Sequence, residues 1–250
     1  MNESPLFNIL DRVDSTNNYA MAKVHEGLAK HGMAWFAAVQ TAGKGQRGKQ
    51  WLSEPGSSVN LTICIQPSTV FTTNPFHLSA LVAVACGEFL EKLTGHTFFL
   101  KWPNDLYWRD RKTGGILIEN KYSGTDWNWA VVGIGINVNQ SGFDPQLPNP
   151  VSLLQISGRE DLESETLARE LHEYILAKIN LAEIQGYEAA LVEAYNRVLY
   201  KKNKTVKLRK GNAVFSTTIR EVNKFGQLVT EDKMQRIFNF GEVEWLQPPD

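Results

Sequence analysis

Two cysteines among 250 residues are too few for a disulfide framework. Cys64 stands in a strand-like apolar run and Cys86 in a helix-like one, which marks both as buried thiols in a reducing compartment. Histidine is also sparse: His25, His31, His77, His96 and His172 form no H-x-x-x-H or H-x-H pattern, so neither a zinc site nor a histidine-based triad is supported. No apolar run approaches the roughly 18 residues of a membrane helix, and Met1-Asn2-Glu3-Ser4-Pro5 lacks the basic start and apolar stretch of a signal peptide. Surplus charge is missing too. With 26 Lys+Arg against 27 Asp+Glu the net charge is -1, which argues against a general nucleic-acid or membrane-surface binder. There is no internal repeat and no low-complexity tract. What remains, 42% hydrophobic and 21% charged, describes a globular chain expected in the cytoplasm, with one large domain or a large and a small one.

A local absence is more informative. Between Val39 and Ser53 there is no acid, while Gly43, Gly45 and Gly48 interleave with Lys44, Arg47 and Lys49 in QTAGKGQRGKQW, Gln40 to Trp51. Glycines let a backbone approach a ligand closely, so the stretch offers bare amides and three cations to a phosphate or carboxylate. The competing reading is a solvated surface loop. The spacing also fits G-x-G-x-x-G, but the dinucleotide fingerprint needs a helix at the loop and an acid about 20 residues on. Here a Pro55-Gly56 turn and the strand-like Val59 to Ile65 follow, and no Asp or Glu occurs between Ser57 and Gly87.

Along the chain, Phe7 to Val13 is short and mostly apolar, Trp35 to Val39 reads as a buried strand, and Asp14-Ser15-Thr16-Asn17 marks a helix start with more capping groups than a cap needs. Pro75 to Leu93 reads as a buried helix stopped by Thr94-Gly95. A strand from Phe98 ends in Lys101-Trp102-Pro103-Asn104-Asp105, where polar groups gather at its exit. Lys112 precedes Gly114-Gly115 and the strand-like Ile116 to Ile118. In Trp129 to Val138, Gly133 and Gly135 fall on one face by alternation, which suggests either a channel for a flat ligand or close helix packing. Ser141 to Pro150, with three prolines, is a loop placed to cover a site. Two helices, from Ser164 and from about Tyr187 to Val198, are scaffold. The basic cluster Lys201, Lys202, Lys204, Lys207, Arg209 and Lys210 reads as a solvated edge or a contact for an acidic partner, and β-rich segments from Ala213 to Trp245 form a small module.

Together, DSTN (14–17), QTAGKGQRGKQW (40–51), KWPND (101–105), RKTGGILIE (111–119) and GIGINV (133–138) resemble the biotin protein ligases in order and spacing over nearly the whole chain. The resemblance implies an α+β fold: a mixed β-sheet with flanking helices, class II synthetase-like, in residues 1–198, then a small SH3-like β barrel in 199–250. Because DSTN begins at residue 14, the N-terminal DNA-binding domain of many bacterial members is expected to be missing, with no repressor function. Implied chemistry is ATP-dependent conversion of biotin to biotinyl-5'-AMP and transfer of the biotinyl group to one lysine of a biotin carrier domain of a carboxylase. The implied cofactors are ATP, biotin as substrate, and Mg2+; neither DNA nor a membrane is an expected partner, and a homodimer is among the family's assembly states.

Position by position, the resemblance assigns Ser15, Thr16, Asn17 and Gln40 to the biotin ring, and Gly43, Lys44, Gly45 and Gln46 to a loop closing over it. Gly115, Leu117, Gly133 and Gly135 are assigned to the channel for the ring and tail. Lys112 bridges carboxylate and α-phosphate, with Arg47 and Lys49 as further catalytic cations. Lys49, Trp51, Asn104, Lys112 and Asn137 belong to the nucleotide side, and Asp105 is a candidate magnesium ligand. Gln46 departs from the family pattern, which usually has Arg there; the expectation is that Gln46 hydrogen-bonds the phosphate while Arg47 or Lys49 supplies the charge. A lipoate or octanoate ligase or transferase of the same superfamily, and a non-catalytic biotin or nucleotide sensor, are the rival readings.

Overall fold

The computed structural model describes residues 6–182 and 187–246. In chain order the elements are β1 (Phe7–Val13), α1 (Thr16–His25), β2 (Ala34–Gln40), β3 (Ser58–Ile65), α2 (Thr69–Thr72), α3 (Phe76–Thr94), β4 (Phe99–Lys101), β5 (Asp105–Trp108), β6 (Arg111–Ser123) and β7 (Asp126–Asn137). After these come α4 (Leu153–Ser157), α5 (Ser164–Leu181), α6 (Tyr187–Arg197), β8 (Thr205–Lys210), β9 (Ala213–Val222), β10 (Leu228–Glu231), β11 (Gln235–Phe238) and β12 (Glu244–Leu246).

Seven strands form one sheet in the order β1-β2-β3-β7-β6-β5-β4, and only the β1–β2 pair is parallel, so the sheet is mixed as expected. Strand β3 is buried along its whole length, because helices cover both of its faces. Alternation sorts its residues: Leu61, Ile63 and Ile65 join Phe36, Ile134 and Ile136 in the main core with α3 and α5. Cys64 points the other way, into a smaller cluster with Ala20 and Val24 of α1, Trp35 and Val131. Both thiols are buried, and desolvation raises Cys64 to about 12 and Cys86 further, so neither is a nucleophile near neutral pH.

The remaining strands make a five-stranded antiparallel sheet, β11-β10-β9-β8-β12, the small SH3-like module. Its apolar residues Leu208, Ile219, Val222, Leu228 and Phe238 belong to the same buried cluster as the main core. Asn196 of α6 locks the two together: its Nδ2 donates to Val222 O at 2.8 Å and its Oδ1 accepts from Val222 N at 2.7 Å. Between the sheets, Leu100 and Leu199 form a parallel bridge, so the connection lies along β4 instead of swinging free. Half of the basic run is neutralised, Lys201 by Asp110, Arg209 by Glu244 and Lys210 by Glu242, which agrees with a solvated edge.

Candidate active site

The face of the sheet that carries α1 is only partly covered by it. Register places Asn60 opposite Gly135, Thr62 opposite Gly133, Gly115 opposite Gly135 and Leu117 opposite Gly133, all on that face. Above them opens a cleft of about 690 Å3, within the range of about 300–1,000 Å3 usual for small-molecule sites.

One end of the cleft is lined by uncharged polar side chains, most of them in one hydrogen-bonded network. Ser15 precedes α1 but makes no side-chain cap; it and Thr16 and Asn17 are turned inward and buried. Thr16 donates from N and Oγ1 to Gln40 Oε1 at 2.9 and 3.1 Å. Gln40 Nε2 donates to Asn60 Oδ1 at 3.1 Å, which also accepts from Trp51 Nε1 at 3.1 Å. Asn17 is oriented from both sides: Thr62 donates to its Oδ1 at 2.7 Å, and its Nδ2 donates to Glu119 Oε2 at 2.9 Å. A carboxylate only accepts, so Glu119 dictates which way the Asn17 amide faces.

The glycine stretch is not an open cradle of amides. It folds back as a flap in which Gly45 N donates to Lys49 O at 2.7 Å and Trp51 N to Gly43 O at 2.9 Å, around a 3-10 turn at Gln46–Gly48. The amides of Gly45, Lys49 and Trp51 are thus spent internally and are not offered to an anion. The glycines of β7 likewise serve close packing: a Cβ on Gly133 would meet the Asn17 amide, and one on Gly135 the Trp51 indole. The space read as a ligand channel is thus bounded by the protein's own ring and amide.

The other end is cationic. Lys44, Arg47, Lys49, Lys101 and Lys112 line the cleft against two carboxylates, Asp105 and Glu244, both already paired. Lys112 Nζ sits 2.7 Å from Asp105 Oδ1, and its backbone is clipped to the Ser141–Pro150 loop by Lys112 N to Asn149 O at 2.8 Å and Val151 N to Lys112 O at 2.9 Å. Lys44 pairs with Glu119 at 2.6 Å, tying the flap to the neutral end. Arg47, in a left-handed conformation (φ 55, ψ 41), donates from Nη1 to Gly241 O at 3.2 Å in the small module. Burial draws the Lys101 ammonium down to about 8, against a partial counter-pull from Asp105.

Residues 9–137 match the model of the biotin/lipoate A/B protein ligase family. The chain belongs to that family. Among curated relatives, the bifunctional ligase/repressor BirA of Escherichia coli K12 is 30% identical over 227 residues, 89% of this chain and 68% of its own length. The biotin–[acetyl-CoA-carboxylase] ligase of Paracoccus denitrificans is 34% identical over 152 residues, 58% of this chain and 61% of its own. The structure of Aquifex aeolicus biotin protein ligase in complex with biotin and ATP shares the fold, with a TM-score of 0.82, 24% identity, and coverage of 98% of this chain and 100% of that one. The expected family, ligase class and two-sheet fold are borne out.

Of the residues that the ligase motifs assign, Ser15, Thr16, Asn17, Gln40, Lys44, Gly45, Gln46, Arg47, Lys49, Trp51, Asn104, Asp105, Lys112, Gly115, Leu117, Gly133, Gly135 and Asn137 all line the one cleft. Gly43 instead lines an adjoining cavity of about 250 Å3, where its lack of a side chain lets Trp51 O pass. Asn104 and Asn137 are held to backbone carbonyls, of Ile116 and Val151. Magnesium is a different matter: among the described residues no three His, Cys, Asp or Glu gather to hold a metal, and Asp105 is occupied by Lys112. These residues do not fit a resident cation. An ion carried in on a nucleotide's phosphates belongs to the substrate.

Motif reading overlooked Asn60, Thr62 and Glu119, which orient the ring-side residues, and Phe240, Gly241 and Trp245, which close the cationic end. Asn60 and Thr62 left a trace: they alternate with Val59, Leu61 and Ile63 in a strand otherwise apolar. Glu119 closes the RKTGGILIE motif, but nothing local pairs it with Asn17, 102 residues away.

Proposed function

We propose that the protein is an ATP-dependent biotin ligase that forms biotinyl-5'-AMP and passes the biotinyl group to a lysine of a biotin carrier domain. The observation that carries this reading is the polarity of the cleft, a neutral hydrogen-bonding end continuous with a cationic one. A ureido ring offers two N–H donors and a carbonyl acceptor, which suits Thr16, Asn17 and Gln40. A carboxylate and a phosphate chain suit Lys112, Lys49 and Lys101. The relatives named as biotin ligases support the same choice over lipoate. A cytoplasmic, reducing location is supported by the two free buried thiols.

Chemically, a carboxylate is a poor acyl donor. Its oxygen attacks the α-phosphorus in line, the bond to pyrophosphate breaks, and a mixed anhydride results. The protein's work in this step is positioning and charge neutralisation. Lys112 is poised for it, because its ammonium is held by Asp105 and its backbone is fixed on both sides. In the second step the neutral amine of the acceptor lysine attacks the acyl carbon, AMP leaves, and the amine's proton is lost to solvent or base.

Biotin-dependent ATP–pyrophosphate exchange tests the first half, and mass spectrometry for one biotinyl addition to a carrier domain tests the second. Lys112→Ala is expected to lose at least about 2 kcal/mol of transition-state stabilisation in exchange. Exchange that depends on lipoate and not on biotin would sink the reading.

A further inference from the structure

Lys101 ends β4 with its ammonium inside the cleft and, among the described residues, without an acid of its own. The two carboxylates that line the cleft are taken: Asp105 by Lys112 at 2.7 Å and Glu244 by Arg209. Three rings surround it instead. The ammonium lies 4.7 Å from the centre of Tyr107, 5.5 Å from Trp245 and 5.9 Å from Tyr200, and donates to Tyr107 Oη at 3.1 Å. The rings come from three parts of the chain: β5, the connection between the sheets, and β12. Two of them are held: Tyr200 Oη donates to Asp110 at 2.8 Å and Trp245 Nε1 to Trp102 O at 3.1 Å.

Such an arrangement is costly. Cation–π contacts return only part of the solvation that an ammonium loses, and Lys112 and Lys49 both repel it. A methionine would fill the cage without that penalty. An oxyanion in the cleft relieves the desolvation and the mutual repulsion of the three lysines together.

We propose that Lys101 is a phosphate-binding residue of the nucleotide site, its ammonium aimed by the cage of Tyr107, Tyr200 and Trp245. The ligand class is a di- or triphosphate chain, free or on a nucleoside. The inference rests on the reading that the cleft takes ATP, and it assigns the small module a task in that site, since Trp245 is a wall of the cage.

Isothermal titration of wild type, Lys101→Met and Lys101→Arg with ATP, with inorganic pyrophosphate and with biotin, alongside thermal melting, tests it. Lys101→Met is expected to weaken ATP and pyrophosphate by about tenfold or more, as for a lost charge-assisted contact, with biotin affinity unchanged and a melting temperature no lower than wild type. Lys101→Arg, which keeps the charge, recovers part of the loss. Unchanged phosphate affinity in Lys101→Met overturns the assignment. So does a fall in melting temperature that takes biotin affinity with it, which would make Lys101 structural. Neither titrant requires catalysis: Lys101-dependent pyrophosphate binding without biotin-dependent exchange would sink the ligase reading alone.

Discussion

Above neutral pH the Lys101 ammonium and the two buried thiols pull stability in opposite directions. Burial lowers the ammonium from 10.5 to about 8, so between about pH 8 and 10.5 the folded chain has released a proton that the unfolded chain still binds. By itself this group makes stability rise with pH through that window. Cys64 and Cys86, pushed up by burial, oppose the rise from about pH 8.5, where the unfolded thiols ionise, and Tyr107 and Tyr200 join them near about pH 10. Urea denaturation at about pH 7.5 and about pH 9.5 is expected to show a midpoint change between the two that is more favourable in wild type than in Lys101→Met, in which the thiols titrate alike; equal changes would deny Lys101 a part in the pH dependence. Gln46 is a second residue-scale question. Arg47 is turned to the Gly241 carbonyl, whereas Lys49 lines the cleft and makes no ion pair among the described residues. We hypothesise that Lys49 supplies the charge that Gln46 lacks. Lys49→Ala should then hasten release of biotinyl-adenylate and Gln46→Arg should slow it; identical dissociation rates in all three proteins would deny both residues the role.

Among the elements, β3 joins packing to recognition. One edge of its alternation supplies Leu61, Ile63 and Ile65 to the core, and the other supplies Asn60 and Thr62 to the cleft. Thr62→Val keeps the shape and removes the hydroxyl, leaving Asn17 Oδ1 without its donor at a cost of about 1–3 kcal/mol. The expected result is biotin affinity lower by about tenfold with ATP affinity intact; unchanged biotin binding by titration would show that Asn17 needs no such support. The flap is an element whose role changed between sequence and fold. Its glycines and cations were legible, but the choice between bare amides and an internally bonded hairpin depends on which carbonyls the amides meet, and local composition does not contain that.

On the scale of the whole molecule, the small module is part of the site. Gly241 receives Arg47, Gly226 O receives Trp102 Nε1, and Trp245 closes the Lys101 cage. Asn196→Ala would strip both bonds from Val222, buried where water cannot replace them, at about 1–3 kcal/mol for each orphaned group. A lower melting temperature and a KM for ATP raised more than that for biotin are expected; equal effects on both would mean that the module does not bear on the nucleotide end in particular. The sequence by itself determined most of the strands (though not β5 or β8), the long helices, the family and the motif-borne residues of the cleft, because each motif is local and periodicity shows which face a strand buries. Only the tertiary structure decided that Glu119 faces Asn17, that Asp105 is spent on Lys112, and that Trp245 stands against Lys101. Those partners are distant along the chain, and whether a charge is paired, caged or free depends on its neighbours in space.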